Sequence, residues 1–181
     1  VVAISGGSFH SLALRSDGTV VAWGRNDEGQ STVPGDLSDV VAIAGGGYHS
    51  MALKFDGTVS AWGLNDDDQS TVPGGLTDVV AISGGRYHSM ALQSNGTVVA
   101  WGGSQYVDSY DYGETEVPDN LINVISIAAG RYHSLALKSD GTVVGWGRND
   151  HGQVDVPNDL SDVVAVKGGD SHSLALKSDG T

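Results

Sequence analysis

The feature that most constrains this chain is a repeat of 39 residues. His10, His49, His88, His133 and His172 recur at spacings of 39, 39, 45 and 39 in near-identical contexts. Trp23, Trp62, Trp101 and Trp146 each follow their His by 13, and Pro34, Pro73, Pro118 and Pro157 follow the Trp by 11, 11, 17 and 11. The units run about 1–39, 40–78, 79–123, 124–162 and 163–181, four complete and one partial. Six extra residues interrupt the third, between Trp101 and Pro118. A repeat of this size is one supersecondary unit that buries its apolar surface by stacking on its neighbours. The expectation is therefore one domain, or part of one, over 1–181.

Each unit reads as short strands. In the second, Val40-Val41-Ala42-Ile43 is a β-branched run closed by Gly45-Gly46-Gly47. Tyr48 to Lys54 then alternates, with Met51 and Leu53 on one face and Ser50 and Ala52 on the other. Asp56-Gly57 makes a turn into Thr58 to Trp62, and Ser70-Thr71-Val72 before Pro73 is predicted as a fourth strand. Asp-Gly or Asn-Gly between apolar runs is a strong hairpin signal and predicts a type I′ turn. It occurs five times, at residues 17, 56, 95, 140 and 179. No segment carries a helical period of 3.6. Strands small or apolar on both faces need covering on both sides, which predicts an all-β fold, a β-propeller of four-stranded antiparallel blades. A sandwich is the alternative, but it would expose a polar face and would not need the repeat.

Composition narrows the partners. The formal net charge is −13. Nucleic-acid binding rests on cations displacing phosphate counterions, and anionic membranes also attract basic segments, so neither is expected. Basic partner surfaces would be steered toward the chain. Without cysteine there is no disulfide or thiolate chemistry, and no apolar run reaches the ~20 residues of a membrane helix. The chain opens on Val1 with no recognisable signal peptide, and is expected to be a processed or truncated piece of a longer chain.

The run Gly-x-x-His-Ser-Leu/Met-Ala-Leu-x-x-Asp/Asn-Gly-Thr-Val-x-x-Trp-Gly-x-Asn-x-x-Gly-Gln, as in Gly7 to Gln30 and Gly130 to Gln153, resembles the repeat of the regulator of chromosome condensation family. The short units and the Gly29 to Pro34 segment resemble its compact bacterial members, β-lactamase inhibitory protein II among them. The resemblance implies a seven-bladed propeller, of which four complete repeats and part of a fifth are present. An open arc would leave apolar end faces and favour self-association.

The repeated residues look structural. A His placed identically on every blade is expected to hydrogen-bond within its own blade, and the Trp residues to pack with the indole N–H on a partner. Ser11 and its equivalents adjoin a His, but neighbours on a strand point to opposite faces, so no nucleophilic pair is expected there. The Gly-Gly pairs lack the Lys-Ser/Thr and helix of a phosphate loop. Asp66-Asp67-Asp68 and Asp108/Asp111 lack the ligand spacing of a calcium loop. His151 reads as an exposed loop residue. No catalytic residue, metal or cofactor is predicted.

Function is expected where the repeat varies. With the four predicted strands of a unit labelled a to d in chain order, running up and down, the a–b and c–d loops share one rim, and that rim differs from unit to unit. The predicted partner-binding set is Arg86, Tyr87, Arg131, Tyr132, Tyr106, Asp108, Tyr110, Asp111 and Tyr112. Tyr106, Tyr110 and Tyr112 would be anchors, since Tyr and Arg dominate interface hot spots. The expected function is a non-enzymatic protein-interaction scaffold within a larger bacterial surface or secreted protein, placed outside the cell. An enzyme inhibitor of the β-lactamase-inhibitor type and a guanine-nucleotide exchange factor, both taken from the resemblance, are the alternatives.

Overall fold

A computed structural model of the chain describes residues 1–103 and 111–181. It is all-β over those residues. The first blade holds β1 (Ala3–Gly6), β2 (His10–Leu14) and β3 (Val20–Gly24). The second holds β4 (Val40–Gly45), β5 (His49–Lys54) and β6 (Val59–Gly63). The third holds β7 (Val79–Gly84), β8 (His88–Gln93) and β9 (Val98–Gly102). The fourth holds β10 (Val124–Ala129), β11 (His133–Lys138) and β12 (Val143–Gly147). A last sheet pairs β13 (Val163–Gly168) with β14 (Ser173–Lys177). Every pairing is antiparallel and sequential. Successive sheets stack face to face with their first strands innermost, as in a β-propeller.

The alternation on the middle strand explains the stacking. Met51 and Leu53 point forward to the third blade, against Val79, Ala91 and Trp101. Ser50 and Ala52 point back, and Ala52 with Trp62 meets Leu12 and Leu14 of the first blade. The same large-forward, small-backward pairing recurs at the next two junctions. Each fully buried Leu or Met contributes about 1.5–3 kcal/mol. The outermost faces lack this cover: Trp23 is 52% exposed against 8% for Trp62, and Leu174 61% against 1% for Leu135.

The blades are three-stranded, not four-stranded. Ser70-Thr71-Val72 is not a strand, because Asn65 intercepts its backbone. Its Oδ1 accepts the Ser70 N–H at 2.9 Å and its Nδ2 donates to Thr71 Oγ1 at 2.9 Å. Pro73, which has no N–H, ends the segment, and Val72 caps the apolar cluster from the loop.

The Asp-Gly turns also differ from expectation. Only the Gly has positive φ, +79° at Gly18 and +78° at Gly57, and neither preceding Asp does. A type I′ turn needs both. Instead Gly18 N–H donates to Arg15 C=O and Arg15 N–H to Thr19 C=O, a tight turn closed by a left-handed glycine. Asp17 Oδ1 accepts both the N–H and the hydroxyl of Thr19, at 3.0 and 2.7 Å. That pair of hydrogen bonds accounts for the recurring Asp-Gly-Thr, and it holds the Asp in an ordinary conformation. These turns lie against the start of the next blade, where Val79 N–H donates to Gly57 C=O. The a–b and c–d loops are tied together on the opposite rim, through Arg25 N–H to Phe9 C=O and Leu64 N–H to Tyr48 C=O.

Candidate functional site

The repeated histidines form a junction device. Nε2 of His10, His49, His88 and His133 lies 2.8, 2.9, 3.0 and 3.0 Å from Oγ of Ser50, Ser89, Ser134 and Ser173 on the next blade. The bond therefore runs between blades, not within one. Adjacent strand residues do face oppositely, and that is why a His facing forward meets a Ser facing back. Each hydroxyl donates its hydrogen to a c–d loop carbonyl of the preceding blade, at Gln30, Gln69, Glu114 and Gln153, over 2.8, 2.8, 2.8 and 2.6 Å. Trp62, Trp101 and Trp146 donate their indole N–H to the first three of these carbonyls at 3.0, 3.1 and 3.0 Å.

This geometry fixes the tautomer. A hydroxyl that has donated its hydrogen can only accept from the ring, so Nε2 carries the proton. A general base would need the reverse. Burial lowers the pKa of His10 and His133, and drives His49 and His88 down to about 3. The rings are neutral donors at pH 7. Each lies flat against the glycine three residues earlier, where a Cβ on Gly46 would sit 2.1 Å from His49 Cε1. Space for the ring is what the paired glycines provide.

The variable rim carries a different arrangement. The aromatic residue before each of these histidines packs against the next, with ring centroids 5.6 Å apart for Phe9–Tyr48, 6.1 Å for Tyr48–Tyr87 and 5.8 Å for Tyr87–Tyr132, the middle pair stacked and the other two tilted. Tyr112 extends the row, 5.4 Å from Tyr132. Arginines interleave it. Arg25 lies over Phe9 and Tyr48, Arg86 over Tyr48 and Tyr87, Arg131 over Tyr132, and Arg148 over Tyr112 and Tyr132, all at 5.0–5.6 Å. Each such stack contributes about 0.5–1 kcal/mol where exposed. Three of the arginines hold a carboxylate: Arg25 with Asp27 and Arg148 with Asp150 at 2.7 Å, and Arg131 with Asp170 at 3.0 Å. Their ring edges and cations line one surface, with Phe9 51% exposed at its end.

Residues 1–30, 40–69, 79–106 and 124–153 match the regulator of chromosome condensation (RCC1) repeat. The chain belongs to the RCC1 repeat family. Among solved structures it is similar to Prp20p from Saccharomyces cerevisiae, a protein described with its binding to Gsp1p and histones. That likeness has 27% identity and a TM-score of 0.79, over 98% of this chain and 56% of Prp20p. It is similar to human WBSCR16 at 21% identity and TM-score 0.76, over 97% of this chain and 57% of that protein. It is also similar to the ectodomain of the Physcomitrella patens receptor kinase CR4, at 25% identity and TM-score 0.67, over 92% of this chain and 44% of that one. The chain thus spans little more than half the length of the first two. No curated protein matches it.

Against the RCC1 repeat, the predicted binding residues fall into three groups. Arg86, Tyr87, Arg131, Tyr132 and Tyr112 come together in the aromatic row. Asp111 is exposed beside it and caps its own loop, its Oδ1 accepting the Gly113 N–H at 2.9 Å. Tyr106, Asp108 and Tyr110 lie outside the described residues. The predicted set omits Phe9, Tyr48, Arg25 and Arg148. Their signal was register: Phe9 and Tyr48 occupy the position of Tyr87, and Arg25 and Arg148 each follow Trp-Gly. Asp67 is buried, His151 is exposed, and among the described residues no three His, Asp or Glu are grouped to hold a metal.

Proposed function

We propose that this RCC1-repeat chain is a rigid, non-catalytic protein-recognition module that binds its partner through the aromatic–arginine row of the variable rim. The observation that carries the reading is the row itself. Tyrosine and arginine are the side chains that most often dominate interface energetics. Here they are already packed against one another, so binding loses little side-chain freedom. Prp20p, described with Gsp1p and histone binding, supports a protein partner. The CR4 ectodomain supports a place at the cell surface or outside the cell, within a larger surface or secreted protein. The bacterial origin, the inhibitor reading and the exchange-factor reading rest on the sequence resemblance alone.

The test compares immobilised wild-type chain with Tyr48→Ala and Tyr112→Ala variants as baits for soluble partners. A protein held by the wild type should be lost from both variants, with Kd raised tenfold or more. A partner held equally by all three would remove the row from the interface.

A further inference from the structure

On the variable rim the ends of the innermost strands border an open hollow, to which each blade contributes one residue, Ser8, Gly47, Arg86, Arg131 and Asp170. Its walls are glycine backbone, and the N–H groups of the first four ring residues are already engaged between blades. Ser8 donates to Gly46 C=O, Gly47 to Gly85, Arg86 to Arg131 and Arg131 to Gly169. What remains to recognise a ligand is side-chain charge.

The two arginines of the hollow differ. Arg131 reaches forward and is held by both oxygens of Asp170 at 3.1 and 3.0 Å. Arg86 turns back over Gly47, where a Cβ would lie 2.6 Å from the Arg86 carbonyl oxygen and 2.8 Å from its Cγ, so backbone and side chain of Arg86 both need a glycine there. Its guanidinium sits 5.5 and 5.2 Å from the Tyr48 and Tyr87 ring centroids and donates one bond, to Tyr48 Oη at 3.3 Å. Among the described residues it has no carboxylate partner, whereas Arg25, Arg131 and Arg148 each have one. In a chain of net charge −13, the hollow is bordered by a cation that lies over two rings and has no carboxylate among the described residues.

We propose that this hollow is a carboxylate-binding site in which Arg86 forks an Asp or Glu side chain of the partner protein. The inference rests on the protein-recognition reading and names the chemistry it uses. Guanidinium binds carboxylate through two parallel N–H···O bonds, and its planar fork is pre-organised here by the two rings it lies over. The cavity has about 250 Å³ of room, below the ~300–1,000 Å³ of small-molecule pockets. It suits one side chain reaching in from a bound surface.

The test follows the Arg86 Nε–Hε resonance of the isotope-labelled chain by NMR during titration with acetyl-Gly-Glu-Gly-amide and with its Gln counterpart. The Glu peptide should bind at least tenfold more tightly. Arg86→Gln should abolish that preference, while Lys138→Gln, on the opposite rim, leaves it within twofold. Equal binding of the two peptides, loss of the preference in Lys138→Gln, or no binding at all would overturn the site. So would inorganic phosphate shifting the resonance at lower concentration than the Glu peptide. A captured partner lost by Tyr48→Ala but bound unchanged by Arg86→Gln would reject this site and leave rim recognition standing. A Glu preference at Arg86 with no partner lost from the tyrosine variants would do the reverse.

Discussion

At the scale of single residues, the histidines carry the clearest energetic consequence. His49 and His88 hold pKa values near 3 because burial disfavours the charged ring. In the unfolded chain the same groups titrate near 6.5. Between these values the unfolded state binds protons that the folded state cannot, so stability falls as pH drops. The contribution is whole above pH ~6.5 and is lost progressively toward pH ~3, at about 2 kcal/mol per ring by pH 5. Denaturant midpoints measured from pH 7 to pH 5 should fall accordingly. A flat profile would mean that the rings are solvated. Ser89→Ala addresses the same device from the other side. It strips the buried His49 Nε2–H of its acceptor and leaves the Gln69 carbonyl with the Trp101 indole alone. A loss of about 1–3 kcal/mol in urea unfolding is expected.

At the scale of elements, the unit of construction is the hairpin with its left-handed glycine. Gly96 has φ +83°, and a Cβ there would meet its nearest atom at 3.5 Å, so space is not what limits substitution. The conformation is. Gly96→Ala should destabilise by about 1–2 kcal/mol, the strain of holding an L-residue in that region. Thermal unfolding of Gly96→Ala beside wild type measures it, and an unchanged midpoint would show that the turn relaxes. The hairpin could be read from Asn95-Gly96-Thr97, but its turn type could not. Asn95 Oδ1 accepts the Thr97 N–H at 2.9 Å, a side-chain bond that substitutes for the second left-handed residue. The missing fourth strand has the same kind of cause, since Asn65 competes with a ladder for the Ser70 N–H and ties down the Thr71 hydroxyl beside it. Side-chain-to-backbone competition of this sort is local in sequence, yet propensity does not rank it.

At the scale of the whole molecule, stability and recognition are divided between two layers. Junction clusters such as Met51, Leu53, Val79 and Trp101 hold the blades, and the aromatic row lies above them on the rim. Tyr48 is half-buried and touches Phe9, Tyr87 and two arginines at the rim, while the junction below has its own cover. The binding loss proposed for Tyr48→Ala should therefore exceed its effect on unfolding, with about 1–2 kcal/mol expected from the lost ring and cation contacts. Calorimetric unfolding beside the binding measurement separates the two. Tyr87 is only 6% exposed and would not separate them, because its removal also opens packing.

The repeat by itself determined the all-β class, the two faces of each middle strand and the rim on which variation collects. Those follow from periodicity, because side chains on a strand alternate and identical units must cover one another. It did not determine what the repeated residues bond to. His10 and Ser50 stand 40 residues apart, and only the offset between stacked blades decides that a ring on one meets the hydroxyl on the next. The rim depended on stacking in the same way. Arg86 and Arg131 occupy equivalent positions and look interchangeable in sequence. The next blade offers Asp170 to Arg131 but Arg131 to Arg86, so among the described residues the second charge is paired with a carboxylate and the first is not.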